Sequence, residues 1–222
     1  MTALLTLNNV SKSFTRGGIF SRHRIEAVKN VSFTLNNDHP EIFAIIGESG
    51  SGKTTLARMI LGTQEVSGGS LTLEGKQVGG RTRKERLAFM AKVQPIFQNP
   101  FEAFNPLKKI DYYLLLTAMR FGGSAGIAEA EAAADLALRQ VGLSLSEVRG
   151  RFPHEMSGGQ LQRVAIARAL VSKPRMIVAD EPVSMVDASL RMAIVNLFGE
   201  LRDKLGLSII YITHDLATAY YI

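Results

Sequence analysis

The stretch EIFAIIGESGSGKTTLARMILG, residues 41–62, decides the fold. Its first seven residues are a continuous apolar run of strand length. That suits a strand covered on both faces, as in a parallel sheet. Its last nine, TTLARMILG (54–62), read as a helix ended by Gly62. Between them GESGSGKT (47–54) fits the pattern G-x-x-x-x-G-K-S/T, in the strand-to-helix context that the pattern requires. Gly47, Gly50 and Gly52 let the backbone curl so that its N–H groups face a phosphate. Glu48, Ser49, Ser51 and Thr55 belong to the same cradle. Lys53 is placed to reach β- and γ-phosphates, and the Thr54 hydroxyl to ligand Mg²⁺.

Outward from this turn the chain divides by pattern. LLTL (4–7) and VSFTL (31–35) alternate apolar and polar residues, with Val31, Phe33 and Leu35 on one face, and GGSLTLEG (68–75) is a short glycine-bounded strand. LKKIDYYLLLTAMRF (107–121) and IAEAEAAADLALRQVGL (127–143) are rich in helix formers and flank the loop FGGSAG (121–126). RMIVAD (175–180) and LSIIYITH (207–214) are strands. Leu190, Ile194, Leu197, Phe198, Leu201 and Leu205 follow helical spacing between them, which makes a β-α-β crossover. The expected fold is α/β: a P-loop NTPase (RecA-like) core with an antiparallel β subdomain and an inserted α-helical subdomain. The expected division of a single domain, 1–222, is a nucleotide-binding core in 1–98 and 165–222, with a helical subdomain in 99–164.

Composition bounds the function. The 222 residues contain no cysteine, which excludes a disulfide framework and thiolate metal sites. MTALLTLNNV (1–10) has no basic region followed by a long apolar run, so no signal peptide is expected. The apolar runs are strand-sized, well short of the roughly 20 residues of a membrane span. The formal net charge of +6 allows nucleic acid or an anionic membrane as partners. However, the cations are scattered, with small clusters at SRHR (21–24) and RTRKER (81–86) that read as solvated loops. No familiar nucleic-acid-binding motif is present.

MIVADEP (176–182) is an apolar strand that ends in two carboxylates. Asp180 suits a Mg²⁺ shell, and Glu181 is placed to orient or deprotonate an attacking water. HEMSGGQLQR (154–163) has the small residues and helix start of a second anion site, but no lysine.

In order and spacing, GESGSGKT, SGGQLQR, VADEP and THD resemble the ABC-type ATPases over about residues 4–222. SGGQ is the diagnostic element, since other P-loop proteins lack it. The resemblance implies ATP and Mg²⁺ as cofactors. It also implies that Gln98 in IFQNP contacts Mg²⁺ and the attacking water. Asp187 in SMVD belongs to the loop linking two ATP sites, and His214 in YITHD hydrogen-bonds the γ-phosphate. Phe14 in VSKSF matches the aromatic that stacks on adenine, where many members have Tyr; Phe20 lies nearby. In a head-to-tail dimer, Ser157, Gly158, Gly159 and Gln160 would contact the γ-phosphate held by the other subunit. This explains a phosphate turn without its own lysine.

FQNPFEAFNP (97–106) is similar to a stretch of the oligopeptide, dipeptide and nickel importer ATPases. Asn99 stands where many members have Asp, and SMVD replaces the commoner SALD. Members usually continue beyond a point eight residues after His214, so a C-terminally truncated chain is expected. The implied partners are a second ATPase subunit, transmembrane permeases and, indirectly, a solute-binding protein, with the chain peripheral on the cytoplasmic face of the membrane. The alternative is a soluble ABC ATPase acting on nucleic acid or ribosomes. No long coiled-coil insertion or second cassette supports it. SGGQ and the lack of an N-K-x-D motif argue against a P-loop kinase or GTPase. Lys53, Glu181 and His214 argue against a non-hydrolysing cassette.

Overall fold

Two sheets organise the chain in a computed structural model that describes residues 2–16, 23–80 and 82–222. The first is antiparallel, in the order β2-β1-β4-β5, from β1 (Ala3–Arg16), β2 (His23–Asn36), β4 (Gly68–Leu73) and β5 (Lys76–Gln77). The second is wholly parallel, in the order β3-β8-β7-β6, from β3 (Ile42–Ile46), β8 (Ser208–Thr213), β7 (Met176–Asp180) and β6 (Val93–Ile96). Parallel neighbours need long crossovers, and helices supply them here. The expected one between β7 and β8 is α7 (Ala188–Leu205).

The parallel sheet separates two apolar clusters, and strand alternation assigns its side chains to one or the other. Ile177, Ala179, Ile209 and Tyr211 point into a cluster built with the helices. Met176, Val178, Ile210 and Ile212 point the other way, onto α1 (Lys53–Ile60) and the antiparallel sheet. The apolar run 41–47 does not occupy the position its composition implies. β3 is an edge strand, only partly buried, and Ile46 is 47% exposed. The strands covered on both faces are β7 and β8, the two central ones. An apolar run reports burial propensity but not place in the strand order.

The helical layer contains α3 (Ile110–Phe121), α4 (Ile127–Gln140), the single turn α5 (Leu145–Val148) and α6 (Gly158–Val171). Ala130, Ala134 and Ala137 are buried on one side of α4, where small side chains let helices approach closely. α6 runs unbroken across position 164. One helix therefore carries both the SGGQ turn and residues of the helix-side core, such as Val164 and Ala167.

RTRKER was expected as a solvated loop. Its residues 83–86 instead open α2 (Arg83–Lys92), which is started by a capping box. The Thr82 hydroxyl accepts from Glu85 N–H, and the Glu85 carboxylate accepts from Thr82 N–H at 2.9 Å. Arg81 lies outside the described residues, as do Ser21 and Arg22 of the other cluster. The last helix, α8 (Leu216–Tyr221), is capped by Asp215.

Candidate functional site

The segments that carry the phosphate loop, Gln98, Glu181 and His214 leave the same edge of the parallel sheet. Ile46 pairs with Thr213, Asp180 with Ile212, and Ile96 with Ala179. The carboxyl ends of β3, β8, β7 and β6 are therefore level, and the residues that follow them share one crevice. Open α/β sheets bind ligands at such edges.

Gly47, Glu48, Ser49, Gly50, Ser51 and Gly52 follow β3, and Lys53, Thr54 and Thr55 form the first turn of α1. The loop closes on itself: Ser51 N–H donates to Glu48 O at 3.2 Å. The Lys53 ammonium is buried beneath it and donates to Gly47 O and Glu48 O, both at 2.7 Å. An ammonium has three protons, so one remains for a phosphate oxygen. The first-turn N–H groups of α1 have no carbonyl four residues back and carry the positive end of the helix dipole. Gly52 has φ +92°, and a Cβ there would lie 1.9 Å from the carbonyl oxygen of Ala27. Glycine thus lets the loop sit directly against β2.

Glu181 is the meeting point of three strands. Gln98 Nε2, just beyond β6, donates to Glu181 Oε2 at 3.1 Å. His214 Nδ1, just beyond β8, lies 2.9 Å from Glu181 Oε1. In this contact Nδ1 is the donor and the carboxylate oxygen the acceptor. The Glu181 backbone is left-handed, with φ +49°, a conformation costing about 1–2 kcal/mol for an L residue. It is held there by its N–H on Ile212 O at 2.9 Å and by Ser184, whose N–H and hydroxyl both donate to its carbonyl. Strain held in place by neighbouring bonds is common where a side chain must be aimed.

The adjacent Asp180 faces the phosphate loop. Burial pushes its carboxyl above the usual carboxylate range and Glu181 adds to that, while the Thr54 hydroxyl, Lys53 and Arg58 act in the opposite direction. Its Oδ1 is buried without a hydrogen-bond partner. A desolvated, unsatisfied carboxylate oxygen beside a hydroxyl fits one face of a Mg²⁺ shell. No group of three or more His, Asp or Glu that could hold a metal occurs among the described residues. That combination suits Mg²⁺ arriving with phosphates rather than a resident metal cage.

The second turn is built differently. Ser157 caps α6: its hydroxyl accepts from Gln160 N–H at 3.2 Å, and Gln160 Oε1 accepts from Ser157 N–H at 3.1 Å. These bonds occupy Ser157 Oγ as an acceptor but leave its O–H free to donate, together with the N–H groups of Gly158 and Gly159. The neighbours of the turn are the loop and helix after Glu181. A Cβ on Gly158 would lie 3.9 Å from Met185 O, and one on Gly159 2.8 Å from Leu190 Cδ1. Asp187, at the start of α7, is exposed, and its side chain makes no cap hydrogen bond. None of the hydrogen bonds of Ser157–Gln160 among the described residues reaches the phosphate loop.

Phe14 lies on β1 opposite Ile25 of β2, the strand that abuts Gly52, and is 40% exposed. Lys12 Nζ stands 5.2 Å from its centroid. Phe20 lies outside the described residues.

A loop that wraps an ammonium and a helix start around one point, with an aimed carboxylate opposite, is built to hold and cleave a polyphosphate. Such a site on a parallel sheet makes this a P-loop nucleoside triphosphatase. Residues 28–184 match the ABC transporter family, and the chain belongs to that family. It is 36% identical over 220 residues to the oligopeptide transport ATP-binding protein AmiF of Streptococcus pneumoniae serotype 4, covering 99% of this chain and 69% of that one. It is 38% identical over 224 residues to OppF of Haemophilus influenzae, with 99% and 67% covered. Its fold matches the dimeric ATP-binding cassette MJ0796 in a post-hydrolysis state bound to ADP and Pi. The TM-score is 0.84 at 28% identity, with 98% of this chain and 90% of that one covered. It also matches CbiO1 of Clostridium perfringens, part of the transporter complex CbiONQ, with a TM-score of 0.80 at 25% identity, covering 97% and 80%. No helix among the described residues is long and apolar enough to cross a membrane.

Proposed function

We propose that this chain hydrolyses ATP as the nucleotide-binding subunit of an importer that takes up peptides. The observation that carries the chemistry is the convergence of Gln98 and His214 on the two oxygens of Glu181, at 3.1 and 2.9 Å. Two donors on one carboxylate fix its plane, as a group that takes a proton from a positioned water requires. The relatives named for oligopeptide transport support the substrate class.

In this reading the backbone of residues 47–55 and the free proton of Lys53 grip the phosphates. Thr54, Asp180 and Gln98 would hold Mg²⁺, which supplies charge neutralisation at the phosphates when bound. Glu181 accepts the proton of the attacking water, and His214 donates an N–H to the γ-phosphate. Phe14 offers its exposed face to adenine. Ser157, Gly158 and Gly159 offer one hydroxyl and two amides to a nucleotide on a second subunit, with Gln160 holding the turn and Asp187 beside it at the dimer contact. Residues 1–98 and 165–222 act as the nucleotide-binding core and 99–164 as the helical subdomain that carries the signature turn. The chain works peripherally, on the cytoplasmic face of a membrane.

The test is Glu181→Gln in the protein assembled with its permeases. The variant should bind MgATP with wild-type affinity and hydrolyse it at least about 10²-fold more slowly. Turnover equal to wild type would refute the role of Glu181. In proteoliposomes, wild-type hydrolysis should rise with a peptide-loaded binding protein. A rise with nickel in place of peptide would refute the substrate class alone.

A further inference from the structure

The segment after Gln98 is held by contacts that the chemistry above does not use. Asn99 Oδ1 accepts from Phe101 N–H at 3.1 Å and starts a single tight turn, Pro100–Ala103. The exit of that turn is held from two sides. From α6, Arg168 Nη1 donates to Ala103 O at 2.8 Å, and its guanidinium lies 5.5 Å from the centroid of Phe104. From α3, the Tyr113 ring meets buried Phe104 edge-on at 5.3 Å, and Tyr113 Oη accepts from Asn105 N–H at 2.7 Å. Arg168 is partly buried, and burial disfavours its charge. No carboxylate lies within ion-pair reach of it among the described residues. A guanidinium set against one carbonyl and one aromatic face does more than pack, which an apolar side chain could do without a charge. What the guanidinium adds is direction: a planar donor that stacks and hydrogen-bonds at once.

We propose that Arg168 is a positioning residue: by clamping Ala103 and Phe104 to α6, it holds Gln98 in hydrogen-bond range of Glu181. α6 is the helix that begins at the SGGQ turn, so the clamp joins that turn to Gln98 through one rigid element. The inference rests on the hydrolytic reading above only for its kinetic consequence. Tyr113 is the second jaw, acting on Asn105.

The experiment compares Arg168→Met, which keeps the apolar stem, with Arg168→Lys, in the assembled transporter. Arg168→Met should lower kcat about tenfold and leave KM for MgATP within about twofold, because it displaces a group used after binding. Arg168→Lys, which can still donate to Ala103 O, should recover part of the loss. In a Gln98→Ala background, Arg168→Met should lower kcat no further. In the nucleotide-free protein, Arg168→Met should speed amide exchange at Phe104 and Asn105, which reads the clamp without any hydrolysis. An equal fall in kcat with and without Gln98 would overturn the proposal. So would unchanged exchange at both amides, including in a variant that keeps the wild-type Tm. A wild type without hydrolysis, but with faster exchange in the variant, would count against the hydrolytic reading and leave the clamp standing.

Discussion

Replacing Gly52 with alanine tests the geometry of the phosphate loop most directly. The new Cβ would start 1.9 Å from the Ala27 carbonyl oxygen, a backbone atom of β2 that no rotamer change can move. To reach even 3.0 Å, the loop and the strand must part by about 1.1 Å. The left-handed φ adds about 1–2 kcal/mol for any L residue. A misplacement of about 1 Å at a reacting centre can cost about 10²-fold in rate, and here it falls on the residue before Lys53. We expect kcat/KM for MgATP to drop about 10²-fold, read by phosphate release, with a lower Tm by calorimetry. Two controls isolate the cause. Gly50 has φ +82° and nothing within 4 Å of its Cβ position. In the nucleotide-free protein Gly50→Ala should therefore carry only the backbone strain, lowering Tm by about 2–8 °C. Gly69, on β4, has φ +77° and a Cβ position 2.3 Å from Asn9 O. Gly69→Ala should lose stability without a selective loss of turnover in the molecules that remain folded. A Gly52→Ala protein with kcat/KM within threefold of wild type would refute the claim that the loop's contact with β2 places Lys53.

Asp180→Asn should raise the Tm of the nucleotide-free protein at neutral pH while abolishing hydrolysis. Between the ordinary carboxylate pKa and the raised value of Asp180, the folded state holds its proton more tightly than the unfolded chain. Stability therefore falls as pH rises through that window, and the penalty persists above it. The Tm difference should vanish in acid below the ordinary carboxylate pKa, as a melting series down to about pH 3 would reveal. Ser157→Ala should cost about 1 kcal/mol through the lost cap of α6, measured by denaturant unfolding. Ser157→Arg should in addition abolish hydrolysis in the dimer while leaving the ATP affinity of an isolated subunit unchanged, measured by equilibrium binding.

Much of the site was legible because its chemistry is local in sequence. GESGSGKT carries its own glycines, lysine and hydroxyl, and the loop it forms needs nothing from elsewhere except room beside Ala27. The crossover from 176 to 213 was legible because strand and helix periodicities differ. The edge position of β3 was not, because strand order depends on which partners a strand finds and leaves no mark on its own composition. β6 escaped notice because VQPI is short and holds a proline, and α2 because its charges hid a Thr82–Glu85 capping box that was there to be read. Arg168 gave no signal of a tie to Ala103. Sixty-five positions separate them, and an arginine on a helix looks the same whether it faces water or a carbonyl.

The sequence by itself determined the phosphate loop, the carboxylate pair after a strand, the capped SGGQ turn and the α/β class. Each is set by residues a few positions apart, whose backbone preferences act before the chain is compact. Only the tertiary structure decided that Gln98, Glu181 and His214 share one point, with 83 and 33 positions between Glu181 and its two partners. It also decided that Asp180 keeps an unpaired oxygen beside Thr54, and that SGGQ lies against Met185 and Leu190. Those meetings follow from the register of β6, β7 and β8. A parallel sheet aligns strand ends through hydrogen bonds between segments remote in sequence, and its order emerges only when the two apolar clusters on its faces are buried together.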